Sequence, residues 1–559
     1  MEPKLFVPEP AQGSTTDVPT DPAKVKEWLA SLPWLNIADV SHAIHKALMV
    51  TNRIEINDKA RVKLMELYRE PVDHISQKME HKYTGLALPL SEKNKMIAEQ
   101  VRHFQVEMAY GYKRVILDSY DRYKPKLTGK HAADLLIPLH RTIRYLAETL
   151  VHSYMFYAPF PTGIWHELHQ LYQLAEHHGL ADSKVEDSLN HTLPHSSISH
   201  AYKQALLLDL SDPYHLPARM IAKIRAYLDR WASLATISPA NSDAADSCQF
   251  LINAENDKAG HHFSGLPKVE NPDQLRLLTT VELARNIHTQ LSMLRKGHKP
   301  DPDGLSDSFF DKLAHDMLLR TINSWGVNPK RIFPRSGVVS NNQIHLAFGL
   351  DAINYFVNGG RPFQNSSELM GPFQQRTRIG TFYTQPENTE EQADAEEIDT
   401  NAESGEFERV TWNIIDESAG GLALEKQGLK DVHIRVGDLV GTQTPGSQNG
   451  WAISVVRWMR STGAEHMEIG IQRLAPYATP VSIRTLNDNN DESDQMYALL
   501  LPEIKALKQP PTLVAPRAVF NIDHTLYIDD GEVLRRAFGT TLIEVTGAME
   551  RFQFKLLDD

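Results

Sequence analysis

The sequence predicts a multidomain α+β protein: an all-α, repeat-like N-terminal domain, then a C-terminal antiparallel β-barrel with a β-rich extension. Three observations carry this. Apolar residues recur at three- and four-residue spacing from Asp21 to about Ala235. Short β-branched runs separated by Gly, Pro, Asn or Ser dominate after Ile344. A chain of 559 residues, 41% of them apolar, also exceeds what one hydrophobic core accommodates.

Taken in order, residues 1–20 are rich in Pro, Thr and Gly and read as a loose tail. Residues 21–240 read as the helical domain. Ile44 and Leu48, then Leu64, Leu67 and Tyr68, then Ile97, Val101, Phe104 and Met108 each mark one face of a helix. Further helices are expected over 135–150, 164–178, 200–208 and 217–232. The run from Trp165 through Leu168 and Tyr172 to Ala175 resembles a tetratricopeptide helix, although no 34-residue period is visible. Residues 241–328 read as a connector with one strand, Gln249–Asn253, and two helices. The first is marked by Leu275, Leu278, Val281, Leu283, Ile287, Leu291 and Leu294, and the second runs from Phe309 to Trp325.

Residues 329–480 read as the barrel. Expected strands are Ile344–Phe348, Val410–Ile415, Leu422–Leu424, His433–Val436, Ala452–Trp458 and Met467–Gln472, with Ala352–Phe356 extending or following the first. Within this stretch, residues from about 360 to 408 form an insertion. Glu387–Glu408 alone holds ten acidic residues and no Lys or Arg, so it is expected to be disordered. Residues 481–559 supply more strand-like runs, which either extend the barrel or form a second one.

Two short motifs lie in the barrel region. Arg331-Ile332-Phe333-Pro334-Arg335 is R-x-x-x-R, the only pair of arginines in the chain spaced four apart. Asp416-Glu417-Ser418-Ala419-Gly420-Gly421 is D-x-S-x-x-G. In this order, among these strands, the two motifs resemble those of the PilZ family of cyclic di-GMP receptors. The resemblance covers about residues 330–480, with a wider gap between the motifs than is usual in that family. It implies cyclic di-GMP as ligand and Arg331, Arg335, Asp416, Ser418, Gly420 and Gly421 as ligand-binding residues.

The chemistry agrees with that implication. A planar guanidinium grips the adjacent O6 and N7 acceptors of guanine in a fork, and arginine also pairs with phosphate and stacks on bases. Asp416 and Ser418 have groups that complement guanine N–H donors or orient a neighbouring arginine. Gly421 would let backbone approach where a Cβ would not fit.

Composition excludes other classes. The net charge is −13, of which Glu387–Glu408 supplies −10, so no domain has the basic excess of a DNA or RNA binder. One cysteine, Cys248, rules out an internal disulfide. No apolar run is long enough to span a bilayer, and a cytoplasmic location is expected. No Walker loop, dinucleotide fingerprint or metal-binding His/Cys spacing occurs, and neither catalysis nor a cofactor is expected. Asn521-Ile522-Asp523-His524-Thr525 imitates an aspartyl phosphatase motif but has Asn521 at the nucleophile position. His166, His169, His177 and His178 read as surface histidines of one helix. The expected role is a cyclic di-GMP effector that relays ligand binding to a protein partner through its helical domain. The alternative is a PilZ-like interaction scaffold that binds no nucleotide. One consequence of the acidic stretch is directly testable. Replacing 387–406 by a short Gly/Ser bridge is expected to leave ligand affinity within a few-fold, because nine like charges with few apolar residues have little to pack with. A hundredfold loss on calorimetric titration would place the stretch inside the barrel.

Overall fold

The computed structural model describes residues 3–11, 18–123, 128–190, 192–240, 248–301, 304–326, 336–337, 342–366, 407–429, 432–445, 450–462, 465–485, 493–505, 508–522 and 525–557. The expected insertion, apart from its flanks at 360–366 and 407–408, lies outside the described residues. The chain divides into two compact units. One comprises Met1–Pro334, Gln427–Arg435 and Trp458–Glu468, and the other Arg335–Lys426, Val436–Arg457 and Ile469–Asp559.

The first unit is mainly helical: α1 (Pro22–Ser31), α2 (Ile37–Asn52), α3 (Asp58–Glu80), α4 (Glu92–Tyr123), α5 (Lys130–Ala133), α6 (Leu136–Met155), α7 (Ile164–His177), α8 (Ile198–Leu210) and α9 (Ala218–Trp231). A short β1–β2 pair (Val185–Glu186, His195–Ser196) lies between α7 and α8. Helix α4 is the spine. Its 32 residues span about 48 Å, and Val101, Phe104, Met108, Tyr112 and Ile116 are buried along one face. The N-cap side chains of Asp21, Asn36, Asn57 and Ser197 each accept a backbone N–H and so fix where α1, α2, α3 and α8 begin.

Buried charge is compensated inside this unit. Arg69 pairs with Asp187, Arg144 with Asp229 at 2.8 Å, Arg225 with Glu80 at 3.3 Å and Arg141 with Glu66 at 3.1 Å.

Three expectations change here. Residues 3–11 of the supposed loose tail are tied down. Lys4 N donates to Gln170 Oε1 (2.9 Å), Phe6 N to Glu167 Oε1 (2.6 Å), Arg114 to the Pro8 carbonyl (2.7 Å) and Ala11 N to the Arg53 carbonyl (2.8 Å). His169 is not a surface histidine. It is fully buried between the Tyr202 hydroxyl (2.6 Å) and the Lys258 carbonyl (2.8 Å), and burial pushes its pKa down to about 4. The stretch 236–279 holds a four-stranded sheet, β3 (Thr236–Pro239), β4 (Gln249–Asn253), β5 (His261–His262) and β6 (Leu275–Thr279), in the order β3-β6-β4-β5. Leu275 and Leu278 therefore sit on β6, not on the following helix α10 (Val281–Arg295). Helix α11 (Lys312–Gly326) ends beside Trp325, whose ring is buried and donates to the Leu207 carbonyl (2.8 Å). Among the described residues no helix is long and apolar enough to cross a membrane.

The β-rich unit begins with β7 (Ser336–Gly337), β8 (Gln343–Phe348) and α12 (Leu350–Val357), so Ala352–Phe356 is helical rather than a strand. It continues with β9 (Val410–Ser418), β10 (Gly421–Gln427), β11 (Leu439–Gln443), β12 (Ala452–Ser461) and β13 (His466–Ala475). The order β10-β13-β12-β11-β8-β9, with β9 returning to β10, closes a six-stranded antiparallel barrel, and β7 adds to β9. Residues 433–436, expected as a strand, instead make only an isolated bridge from Ile434 to Leu88, and the strand begins beyond Gly437.

A second barrel, β14 (Thr479–Thr485), β15 (Met496–Leu501), β16 (Thr512–Ala515), β17 (Thr525–Asp529), β18 (Leu534–Val545) and β19 (Glu550–Leu556), closes in the order β14-β15-β16-β19-β18-β17. The β-rich extension is thus a barrel of its own. Helix α12 lies between the two barrels. Ile353 joins Ile453, Val455 and Leu474 of the first barrel and Leu499, Leu501, Val514 and Met549 of the second in one apolar core. The Asn354 side-chain amide donates to the carbonyls of Val481 (3.2 Å) and Ala498 (2.9 Å).

Candidate functional site

The D-x-S-x-x-G motif is a two-residue hairpin. Ser418 ends β9 and pairs with Gly421, which starts β10, leaving Ala419 and Gly420 at the tip. The Ser418 hydroxyl donates to the Gly421 carbonyl (3.3 Å), and Arg473 N of β13 donates to the Gly420 carbonyl (2.9 Å). The hairpin is therefore held from both sides.

A bulge decides which way the motif faces. Asp416 pairs with Ala423 and Ile414 with Leu424, so Ile415 is an extra residue on β9. Cross-strand partners point to the same side. Ile414 follows the buried Leu424 to the barrel interior, whereas Asp416 and Ser418 lie with Ala423 and Gly421 on the outer face. Without the extra residue, Asp416 would share the interior side with Ile414. The glycine in the last motif position has a packing reason. A Cβ on Gly421 would stand 2.0 Å from the Ile471 carbonyl oxygen and 3.1 Å from Gln472 Cα, because β13 passes directly over it. Replacing Gly421 by Ala is expected to push these strands apart and cost about 1–3 kcal/mol of barrel stability. Urea denaturation checks this, and an unchanged midpoint would show that the strands yield freely.

Arg331 and Arg335 lie outside the described residues. The next residues after Arg335 are nevertheless placed: Ser336 pairs with Glu417 and Gly337 with Asp416. The R-x-x-x-R segment therefore ends one residue before a strand registered on the D-x-S-x-x-G motif. The long stretch of sequence between the motifs thus does not keep Ser336 and Gly337 from pairing with the second motif.

Three polar residues near the hairpin were not singled out from the sequence. Arg473 faces Glu417 at 3.8 Å. Gln472 is exposed on the outer side of β13, and its Oε1 accepts from Arg457 Nε of β12 (2.7 Å). Polar positions alternating with apolar ones in VVRW and GIQR were the available signal. Among the described residues no group of three or more His, Cys, Asp or Glu side chains is placed to hold a metal ion.

Comparison with known proteins agrees with this architecture. Residues 23–242 match the family model described as "Cyclic-di-GMP receptor FimW, N-terminal domain". Residues 249–378 and 372–480 match the middle PilZ domain of the same receptor, so that match starts well before the arginine motif and takes in β4–β6, α10 and α11. Residues 481–557 match the FimW C-terminal β-barrel domain. The chain is 26% identical over 594 aligned positions to the cyclic-di-GMP receptor FimW of Pseudomonas aeruginosa, covering 99% of this chain and 93% of that one. No solved structure matches the chain. With a helical N-terminal domain, a middle PilZ domain whose matched residues include both motifs, and a second closed barrel, each matched by its own model, the chain belongs to the PilZ-domain family of cyclic di-GMP receptors and has the domain order of FimW.

Proposed function

We propose that this protein is a bacterial cytoplasmic cyclic di-GMP effector. It binds the dinucleotide with Arg331, Arg335, Asp416, Ser418, Gly420 and Gly421 and relays its occupancy to a protein partner through the helical domain. The observation that carries the reading is the pairing of Ser336 and Gly337 with Glu417 and Asp416. It sets Ser336, the residue that follows Arg335 in the chain, beside the strand that carries the outer-face carboxylate and hydroxyl. Guanidinium groups there can fork onto guanine O6 and N7 or onto phosphate, while Asp416 accepts from guanine N–H groups.

Chain connectivity supports the relay. Arg331 stands five residues after Gly326, the last residue of α11. Ordering the arginine segment on ligand restrains the chain leaving that helix. Ligand and partner affinities are then linked reciprocally, typically by about 1–3 kcal/mol.

Hydrogen exchange with and without cyclic di-GMP tests both parts. Protection is expected at 326–340 and 414–424, with altered exchange in helices between 274 and 325. Response of the two motif segments alone would remove the relay, and no response at either would remove the receptor reading.

A further inference from the structure

The outer face that carries Asp416 and Ser418 continues across the barrel. Alternation along β12 places Arg457 on the same side as Ile453 and Val455, and along β13 places Gln472 on the same side as Leu474. These three apolar residues belong to the core shared with α12 and the second barrel. Arg457 and Gln472 therefore stand where the covered half of the outer face meets the half carrying the motif. Gln472 Cα is 3.1 Å from the position of a Gly421 Cβ, and the Gln472 amide oxygen holds Arg457 Nε at 2.7 Å. β12 is two strand spacings from β10, about 10 Å, which a cyclic dinucleotide can bridge.

The other end of the Arg457 guanidinium is engaged by the second barrel. Its Nη1 donates to Glu544 Oε1 of β18, and Arg551 of β19 reaches Glu544 Oε2 at 3.6 Å. One carboxylate thus serves two guanidinium groups, leaving one net positive charge beside the motif. The crowding is visible at Arg551. Burial, with Arg457 adding to it, pushes its pKa down despite Glu544, and among the described residues its Nε finds no hydrogen-bond partner. Arg457 keeps 29% of its side-chain surface exposed, against 13% for Glu544 and 12% for Arg551, so it is the member open to a ligand.

We propose that Arg457 is a further arginine of the ligand site, contacting a phosphate of the dinucleotide, and that Glu544 of the C-terminal barrel holds it in reserve by occupying the same guanidinium. This rests on the receptor reading above and deepens it. The second barrel becomes a restraint on the site, released when ligand phosphate takes the place of the Glu544 carboxylate.

Titration of the full-length protein with cyclic di-GMP, for wild type, Arg457→Ala and Glu544→Gln, tests it. Arg457→Ala is expected to weaken binding about tenfold or more, as a lost charge-assisted contact does. Glu544→Gln removes a negative charge beside the phosphate and a competitor for Arg457, so it is expected to tighten binding several-fold. A purely structural cluster would make both variants weaken binding, in step with lowered thermal midpoints. That result, or wild-type affinity in Arg457→Ala, would overturn the inference and leave the receptor reading standing. Absence of binding by the wild-type protein would overturn both.

Discussion

Replacing Arg335 by Ala is expected to weaken cyclic di-GMP binding by about 2–4 kcal/mol, roughly 30- to 1000-fold, with the fold intact. Arg335 adjoins Ser336, whose strand partner is Glu417 inside the second motif. On the proposed reading its guanidinium grips the ligand, and a fork of donors cannot be replaced by a single ammonium. Arg335→Lys should therefore recover only part of the loss. Calorimetric titration of both variants gives the numbers. Near-wild-type affinity in Arg335→Ala would remove the arginine segment from the site.

The largest expected effect on stability lies in the helical unit. Asp187 is 2% exposed and faces Arg69 and, at 3.5 Å, Arg141. Glu66, which also pairs with both arginines, is itself a third exposed and does not replace it. Asp187→Asn leaves buried guanidinium charge uncompensated, and a loss of about 3–5 kcal/mol is expected at neutral pH. The pH dependence has a definite sign. Burial pushes the Asp187 carboxyl up, but Arg144, Arg69 and Arg141 outweigh it and hold the group below the ordinary carboxylate range. Its contribution is thus fully present above the unfolded-state carboxylate pKa and is lost as pH falls through the lower, folded value. Thermal unfolding of the two proteins should show a wide gap at pH 7 that starts to narrow only as pH falls below the ordinary carboxylate range. A gap that does not change with pH would mean that the carboxylate charge is not what stabilises this cluster.

The parts of this architecture legible in the sequence were those whose signal is local. Val410–Ile415, Leu422–Leu424, Ala452–Trp458 and Met467–Gln472 all became strands because alternation and β-branching act within each run. The long helices followed from periodic apolar faces many turns deep. Short elements were ambiguous. Leu350–Val357 is eight residues long and apolar except at Asp351 and Asn354, which reads as strand or helix alike, and its packing between two barrels decides for helix. Leu275 and Leu278 keep helical spacing with Val281, so the strand–helix boundary near Thr280 carries no break in pattern. Residues 3–11 had too few apolar side chains to suggest order. Their hydrogen bonds go to Glu167, Gln170, Arg53 and Arg114, far away in sequence.

Of the candidate site, the motif residues were legible as motifs but the bulge at Ile415 was not, and that bulge turns Asp416 outward. The cluster around Arg457 could not be found locally, since Glu544 is 87 residues away.

The central claim is that the face formed by the two motifs selects a guanine dinucleotide. Calorimetric titration of the purified full-length protein with cyclic di-GMP, set against GTP and cyclic di-AMP, tests it most directly. Binding at about micromolar affinity or tighter is expected for cyclic di-GMP, with far weaker binding of cyclic di-AMP, whose adenines lack the paired O6 and N7 acceptors, and of GTP, which offers one guanine in place of two. No detectable heat at about 100 µM cyclic di-GMP, or equal affinity for cyclic di-AMP, would contradict it.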